Sequence, residues 1–271
     1  PNTKEHVACG NYLAGNLEAF GAKVTNQYAD LIAYDGTQYH GWQIQPGAVT
    51  IESVLNEALT QLMREPIQVI GASRTDSGVH ARGNVAVFDT ESQMPPDKIC
   101  MALNQRLPED IRVQVSEEVP SDWHPRKCTC IKTYEYRILN RRINMPMERL
   151  YSHFCYYKLD VDRMQAAANM LAGEHDFKSF CSVRTQVTDT VRTVYRIDVT
   201  RNADDIITIR VTGNGFLYNM VRIIAGTLMA VGTGHIQAED VPSILEAKDR
   251  RAAGPTAPAR GLTLIEMKYE L

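Results

Sequence analysis

The chain has 271 residues, with 29 lysines and arginines against 32 aspartates and glutamates, which gives a formal net charge of −3. A hydrophobic content of 44% and a charged content of 23% exclude a disordered or fibrous chain. The length allows about two domains, each with a core of its own. Because nucleic-acid-binding domains are usually basic, the overall charge at first disfavours a nucleic-acid partner.

Six cysteines are spread along the chain, at Cys9, Cys100, Cys128, Cys130, Cys155 and Cys181. Without a Cys-x-x-Cys pair or a His-rich segment, we expect buried, reduced thiols and no zinc site. The longest apolar run, 216–231, contains Asn219 and Arg222, so no membrane-spanning segment is predicted. The N-terminus lacks the pattern of a signal peptide, and we therefore expect a cytoplasmic protein.

The first half of the chain predicts one α+β unit. Residues 1–28 show no regular alternation, and we interpret them as an N-terminal extension of unknown role. The pattern then predicts a strand at 31–34, a helix at 51–63 capped by Thr50, strands at 68–72 and 84–88, a helix after Pro95-Pro96 that runs to about Arg106, and a strand at 111–119. This β-α-β-β-α-β order is that of a ferredoxin-like domain.

The second half repeats the same logic. It predicts strands at 132–139 and 151–158, a helix that starts near Asp160 or Asp162 and ends before Gly173, strands at 191–200 and 205–212, helices at 216–231 and 239–248, and a strand at 262–269. We therefore predict an α+β protein with two ferredoxin-like, RNP-like halves, whose mixed, mainly antiparallel sheets form a central cleft. The N-terminal α+β domain would span 29–130 and carry the catalytic loop described next, and the C-terminal α+β domain would span 131–271.

One short polar segment, 72–81, lies between two predicted strands of the first half. It reads Ala-Ser-Arg-Thr-Asp-Ser-Gly-Val-His-Ala, with Asp76 near its centre. A loop of this kind can hold a carboxylate at the mouth of a cleft, where Arg74 and His80 would set its electrostatics. An Arg-Thr-Asp triplet alone is more often a surface turn or a local ion pair.

The full segment resembles the active-site motif of the TruA family of tRNA pseudouridine synthases, with Ser73 in place of a glycine and Ser77 in place of an alanine. Further segments resemble the family's other motifs, in the same order along the chain: 34–43, 132–137, 173–177, 213–222 and 254–262. The resemblance covers about residues 29–271, and six motifs in order make it specific.

The resemblance implies an isomerase that detaches uracil from ribose at N1, turns it and rejoins it through C5. Such a reaction requires no redox cofactor or metal, and we expect none; the chain has no P-loop and no dinucleotide-binding motif. Breaking a glycosidic bond favours a nearby carboxylate, which the resemblance places at Asp76. It also implies a substrate, the anticodon stem-loop of tRNA at positions 38–40, and a homodimer.

Three further residues are implied to surround the target base. Tyr134 matches an aromatic residue that stacks on the flipped base, although core packing with its neighbours on the same strand face is the alternative. The resemblance pairs Arg222 with Asp76, and a buried arginine needs such an anionic partner. We expect this pair to favour the ionised form of Asp76. Leu217 is expected to line the base pocket, with core packing as the alternative.

Four residues are candidate phosphate contacts, with solvated surface charge as the alternative: Arg74, His80, Lys132 and Arg137. Counted by segment, residues 123–150 carry a charge of +5 and residues 178–201 a charge of +3, which leaves −11 for the remaining chain. A local basic surface can thus bind tRNA despite the total of −3. A non-catalytic RNA-binding module of the same fold is the alternative function, but the carboxylate of Asp76 would weaken RNA binding there. A third hypothesis, a metabolic enzyme of α+β fold, is disfavoured because the chain has no cofactor-binding or phosphate-binding motif.

Overall fold

The computed structural model describes residues 25–183 and 187–269. Most of the predicted N-terminal extension, 1–28, therefore lies outside the described residues. Its last three residues belong to the first strand, which begins at Asn26 rather than after residue 28.

The described residues form ten strands and five α-helices. The strands are β1 Asn26–Tyr34, β2 Ile70–Gly71, β3 His80–Thr90, β4 Ile111–Val119, β5 Cys130–Asn140, β6 His153–Cys155, β7 Gly173–Asp176, β8 Val191–Arg201, β9 Ile206–Gly213 and β10 Leu262–Tyr269. The helices are α1 Ile51–Met63, α2 Pro96–Asn104, α3 Val161–Asn169, α4 Met220–Gly232 and α5 Val241–Ala247. Antiparallel pairing joins β1 to β4, β2 to β3, β5 to β9 and β10, and β8 to β7 and β9, whereas β3 with β10 and β5 with β6 pair in parallel. The predicted α+β class with mainly antiparallel pairing is therefore confirmed.

The chain divides into two compact units. The first comprises the described residues up to 35, with 39–74 and 83–128, and the second comprises 36–38, 75–82 and the residues from 129 onwards. The loop that contains Asp76 therefore belongs with the C-terminal residues, whereas the sequence placed it in the N-terminal half. The reason is that the first residues of β3, His80 and Ala81, pair in parallel with Thr263 and Leu264 of β10.

In the first unit, α1 begins as predicted at Ile51. Thr50 caps it, because its hydroxyl accepts from the Ser53 N–H while the Ser53 hydroxyl accepts from the Thr50 N–H. The predicted strand 68–72 is shortened to β2, because a backbone N–H group just before β2 donates to a side chain of α1 and not to a neighbouring strand. Asn56 accepts from the Val69 N–H at 2.8 Å.

In the second unit, β5 lies between β10 and β9, and the order continues through β8 to β7. The predicted strand 151–158 is reduced to β6, because the Asn140 amide donates to the carbonyls of Cys155 and Tyr157 and bends the chain around itself. The segment 173–177, one of those that resemble the family's motifs, forms β7 for most of its length.

The long apolar helix α4 begins four residues later than predicted. Asn219 precedes it in the left-handed region, with φ of 62°, so 216–218 lie outside the helix. Ten of the 13 residues of α4 are buried, which makes it the core helix of this unit. Over the part of the chain that the structure describes, no helix is both long and apolar enough to cross a membrane.

The five described cysteines are free thiols. Cys130 and Cys181 are buried, as predicted, but Cys100, Cys128 and Cys155 are only half-buried.

Candidate active site

The loop before β3 is closed by a reverse turn at Asp76. The Val79 N–H donates to the Asp76 carbonyl at 3.1 Å, and Gly78 adopts φ of 76°. Gly36 packs directly on this turn, since a Cβ there would lie 2.0 Å from the Val79 carbonyl oxygen. The motif around residue 36 therefore contributes a close backbone contact that supports the turn.

The Asp76 carboxylate is paired with Arg222, the third residue of α4. Asp76 Oδ2 lies 3.0 Å from Arg222 Nη1, and the two side chains are 21% and 17% exposed. Burial raises the pKa of Asp76 above its ordinary value, while the hydrogen bond and charge of Arg222 lower it by a smaller amount. The predicted pair is thus present within one compact unit, and Arg222 acts in the predicted direction, but burial outweighs it.

Arg222 is held by acceptors from three segments. Besides Asp76, Nη1 donates to Asn219 Oδ1 at 2.7 Å, and Nε donates to the Ala257 carbonyl at 2.8 Å. The sequence analysis gave no role to Asn219 or Ala257. Both lie within segments that resemble family motifs. The signal that could have identified them was Arg222, because a buried guanidinium needs several hydrogen-bond acceptors around it. A guanidinium whose orientation is fixed at two of its nitrogens is preorganised to pair with a carboxylate.

The segment 254–258 fits against α4 and supplies that carbonyl. A Cβ at Gly226 would lie 1.7 Å from the Pro255 carbonyl oxygen, so only glycine allows this approach. The Gly254 N–H donates to the Thr227 hydroxyl at 2.9 Å, and the Ala257 N–H donates to the Arg222 carbonyl at 3.1 Å. These contacts fix the position of Arg222 from outside its own helix.

Tyr134 lies in the middle of β5 and is 7% exposed. Its ring packs edge-on against Phe216, with centroids 5.3 Å apart and an interplanar angle of 86°. Across the sheet Tyr134 pairs with Leu264 of β10, which pairs in turn with Ala81 of β3. Two strand spacings therefore bring Tyr134 to within about 10 Å of the backbone that follows Asp76.

The next residue on the same strand face, Tyr136, is fully buried. Its hydroxyl donates to the Pro258 carbonyl at 2.9 Å, and burial raises its pKa. This packing gives Tyr136 a structural role. Leu217 is also buried, at 5% exposure, in the link between β9 and α4, where its carbonyl accepts from the Met220 N–H.

Two of the four candidate phosphate contacts have other partners. His80 is buried, accepts from the Gly36 N–H at Nδ1 (3.1 Å) and places Nε2 3.0 Å from the Leu150 carbonyl. Because Nδ1 accepts, the ring proton lies on Nε2, which donates to that carbonyl. Arg137 forms an ion pair of 3.1 Å with Glu148. His80 therefore anchors the loop, and Arg137 is ion-paired with Glu148; a contact of either residue with phosphate stays a prediction.

The other two candidates differ in exposure. Arg74 is exposed, in the first unit, and Lys132 is half-buried on β5 opposite Gly213. The sequence analysis also missed Asn84, a fully buried residue of the first unit. Its amide accepts from the Ser73 N–H at 3.2 Å and donates to the Ser73 carbonyl at 3.0 Å, which fixes the segment just before the loop.

The site thus combines a partly buried carboxylate, a fixed guanidinium and a buried tyrosine ring that packs against Phe216. A carboxylate of this kind can attack a carbon centre or stabilise a developing positive charge on a sugar. Among residues 25–183 and 187–269, no group of three or more His, Cys, Asp or Glu side chains is arranged to hold a metal ion.

Comparison with known proteins places the chain in one family. A family model described as tRNA pseudouridine synthase matches residues 31–126 and 167–270. The chain is 48% identical over 240 residues to tRNA pseudouridine synthase A of Brevibacillus brevis, covering 88% of this chain and 98% of that protein. It is 45% identical over 241 residues to tRNA pseudouridine synthase A of Bacillus subtilis, covering 88% and 97% respectively.

A third relative, tRNA pseudouridine synthase A of a Thermoanaerobacter species, is 46% identical over 239 residues, covering 88% of this chain and 98% of that protein. The chain belongs to the tRNA pseudouridine synthase family. The family and the enzyme class predicted from the motifs, an RNA-modifying isomerase, are confirmed.

Proposed function

We propose that this protein isomerises uridine to pseudouridine in the anticodon stem-loop of tRNA, at positions 38–40, with Asp76 as the catalytic carboxylate. The relatives named tRNA pseudouridine synthase A support the substrate class and the reaction. The resemblance of the motifs supports the positions. The ion pair of 3.0 Å between Asp76 and Arg222 is the observation that carries the assignment of the carboxylate.

The reaction balances without a co-substrate. The bond between ribose C1′ and uracil N1 breaks, the bond between C1′ and C5 forms, C5 loses a proton and N1 gains one. A carboxylate can attack covalently, or it can stabilise positive charge on the sugar while the base is detached. Either role requires the ionised form of Asp76.

The charge of Arg222 supports that ionised form. Burial raises the pKa of Asp76, and the guanidinium is the group that offsets this effect. Asn219 and Ala257 hold the guanidinium in place, so the carboxylate keeps one orientation. An oriented, partly desolvated carboxylate interacts more strongly with a developing sugar cation than a solvated one.

The target base must leave its stack, at a cost of a few kcal/mol. Stacking on an aromatic ring recovers roughly 1–3 kcal/mol, and Tyr134, packed against Phe216, is the ring we assign to it. We assign Leu217 to the wall of the base pocket. Arg74 and Lys132 remain our candidates for contacts to the phosphates of the target strand.

We also propose that the enzyme is a cytoplasmic homodimer, as the family resemblance implies. Light scattering during size exclusion should give about twice the chain mass of 30.4 kDa. A value of one chain mass at micromolar concentration would contradict the dimer.

One experiment tests the reaction and its position together. A tRNA transcript is treated with the enzyme and then with a carbodiimide that marks pseudouridine, and it is copied by reverse transcriptase. The wild-type protein should produce stops at positions 38–40. Asp76→Asn should abolish them while it retains tRNA binding, whereas Asp122→Asn, the same change at an exposed residue, should behave as wild type. Stops of equal strength with Asp76→Asn would overturn the assignment of the carboxylate, and stops elsewhere would overturn the assignment of the positions.

A further inference from the structure

The second unit contains a cavity away from Asp76. It is a pocket of about 760 Å³ at the ends of β5 and α4, which we call the basic pocket. Its walls carry five cations and one tyrosine: Arg141, Arg142, Tyr156, Lys158, Arg163 and Arg201.

The basic pocket is displaced from the catalytic site along the same two elements, β5 and α4. On β5, Tyr134 and the pocket residue Asn140 are six residues apart, which is about 20 Å along a strand. On α4, Arg222 and the pocket residue Gly232 are ten residues apart, which is about 15 Å along a helix. The pocket is therefore separate from the site that holds the reacting nucleotide.

Most of the pocket's positive charge is not neutralised. Asp160 is its one acidic wall residue and lies 3.8 Å from Arg163, in an exposed pair. Arg201 lies 3.9 Å from Asp205 and donates to the Asn140 side chain and to the Leu159 carbonyl, so it forms part of the wall. Within the described residues, no carboxylate pairs with Arg142 or Lys158.

An exposed aromatic pair stands beside these cations. Tyr156, on the pocket wall, packs against Tyr157 with ring centroids 4.0 Å apart and an interplanar angle of 33°. The two side chains are 59% and 58% exposed, which is unusual for large rings in a protein with a well-formed core. Proteins bind single-stranded nucleic acid with cations placed along the path of its sugar–phosphate backbone and with exposed aromatic rings on which bases stack.

We propose that the basic pocket binds the sugar–phosphate backbone of the substrate tRNA at nucleotides other than the one that reacts. Arg142 and Lys158 contact phosphates, and Tyr156 stacks on an unpaired base or ribose beside them. This rests on the proposed function for the identity of the RNA. A separation of 15–20 Å from the catalytic site exceeds the reach of a single nucleotide, so the two sites together would read the shape of the tRNA rather than one base.

The test compares a double variant of the pocket with a control of matched charge. The pocket variant is Arg142→Gln with Lys158→Gln, both at exposed residues. The control, which we call the α2 control, is Lys98→Gln on α2 with Arg106→Gln just after the end of α2, both at exposed residues. Binding of fluorescent tRNA is measured by anisotropy at several KCl concentrations, and pseudouridine formation is measured at saturating tRNA.

Each lost phosphate contact lowers the slope of log K against log salt by about 0.7–0.9. The pocket variant should therefore lose about 1.4–1.8 from that slope, bind tRNA roughly tenfold more weakly at low salt, and keep the wild-type kcat. Tyr156→Ala should weaken binding about fivefold or more. The α2 control should keep the wild-type slope.

Equal slopes for the pocket variant and the α2 control would overturn the proposal. So would a loss of kcat at saturating tRNA, since that would place these residues in the catalytic step. In a further arm, inorganic phosphate is titrated at constant ionic strength. Saturable phosphate binding that Arg142→Gln with Lys158→Gln abolishes, while the affinity for tRNA stays at the wild-type value, would make this a site for a small anion and contradict the RNA assignment. A wild-type protein that binds tRNA without forming pseudouridine would defeat the proposed function and leave the pocket standing.

Discussion

Two aspartates of this protein, the partly buried Asp76 in the second unit and the fully buried Asp30 in the first, have different surroundings. Asp30 lies on β1 opposite Ser116 of β4 and is 1% exposed. Burial raises its pKa to about 7, and its Oδ1 has no hydrogen-bond partner among the described residues. Burial also raises the pKa of Asp76, but Arg222 is present there and offsets part of the effect.

The difference shows how a carboxylate that is removed from water can still favour its charged form. Desolvation alone favours the neutral acid, as at Asp30. A fixed guanidinium offsets part of this effect and orients the carboxylate, as at Asp76. The comparison therefore predicts that changes around Asp76 affect the reaction, whereas changes at Asp30 affect only stability.

Removing the guanidinium should have the largest effect on activity after loss of Asp76 itself. With Arg222→Gln the pKa of Asp76 rises further, so the ionised fraction falls and the acid limb of the pH profile of kcat/KM moves to higher pH. At pH 7 we expect kcat/KM to fall about 10²-fold, as for loss of one preorganised charge partner. Initial rates measured between pH 5 and 9 check this.

The control is Arg210→Gln, which removes an exposed arginine that pairs with Glu135 at 2.9 Å. Pairs of this kind contribute little, so its profile should match the wild type. An Arg222→Gln profile with an unshifted acid limb would contradict the role of Arg222 in the ionisation of Asp76.

The aromatic wall should have the next largest effect. Tyr134→Phe keeps a stacking ring and should retain kcat/KM within about threefold. Tyr134→Leu should lose about 10–100-fold, which corresponds to the stacking of one base. Tyr136→Phe loses only the hydrogen bond to Pro258 and should lower the free energy of unfolding by about 1 kcal/mol with little effect on rate. Equal rates for all three variants would remove Tyr134 from the pocket.

Asp30→Asn should have the smallest effect on activity and a measurable effect on stability. In the wild type, the unfolded state ionises Asp30 near pH 4 while the folded state resists until about pH 7. Stability from the neutral carboxyl is therefore complete below pH 4 and is lost as the pH rises towards 7, by at most about 4 kcal/mol.

The asparagine variant should remove that pH dependence, so urea titrations at pH 5 and pH 8 should give more similar free energies of unfolding than for the wild type. Its kcat should be unchanged. A wild-type stability that rises between pH 5 and pH 8, with the variant following it, would contradict the account of Asp30.

The sequence predicted the features that repeat locally or match a motif. The α1 boundaries followed from Thr50 and the helical spacing, and the pairing of Asp76 with Arg222 followed from two motifs and the need of a buried arginine for an anion. The late start of α4 was missed, because it depends on the left-handed backbone of Asn219.

What the sequence did not predict are contacts between residues that are not neighbours in the chain. His80 contacts Gly36 and Leu150, and Arg137 pairs with Glu148, because the folded backbone brings these residues together. No local pattern around these residues indicates such pairing. Likewise, the burial of Asp30 could not be predicted, because in the sequence it is only an acidic residue that precedes an apolar strand.

The release of tritium from tRNA labelled at C5 of uridine tests the central claim most directly, because that hydrogen leaves only when C5 becomes the carbon attached to ribose. Measured side by side, the wild type and Asp30→Asn should release tritium at the same rate, and Asp76→Asn should release it roughly 10³-fold more slowly or not at all. Release by Asp76→Asn at the wild-type rate, or loss of release with Asp30→Asn alone, would contradict the account.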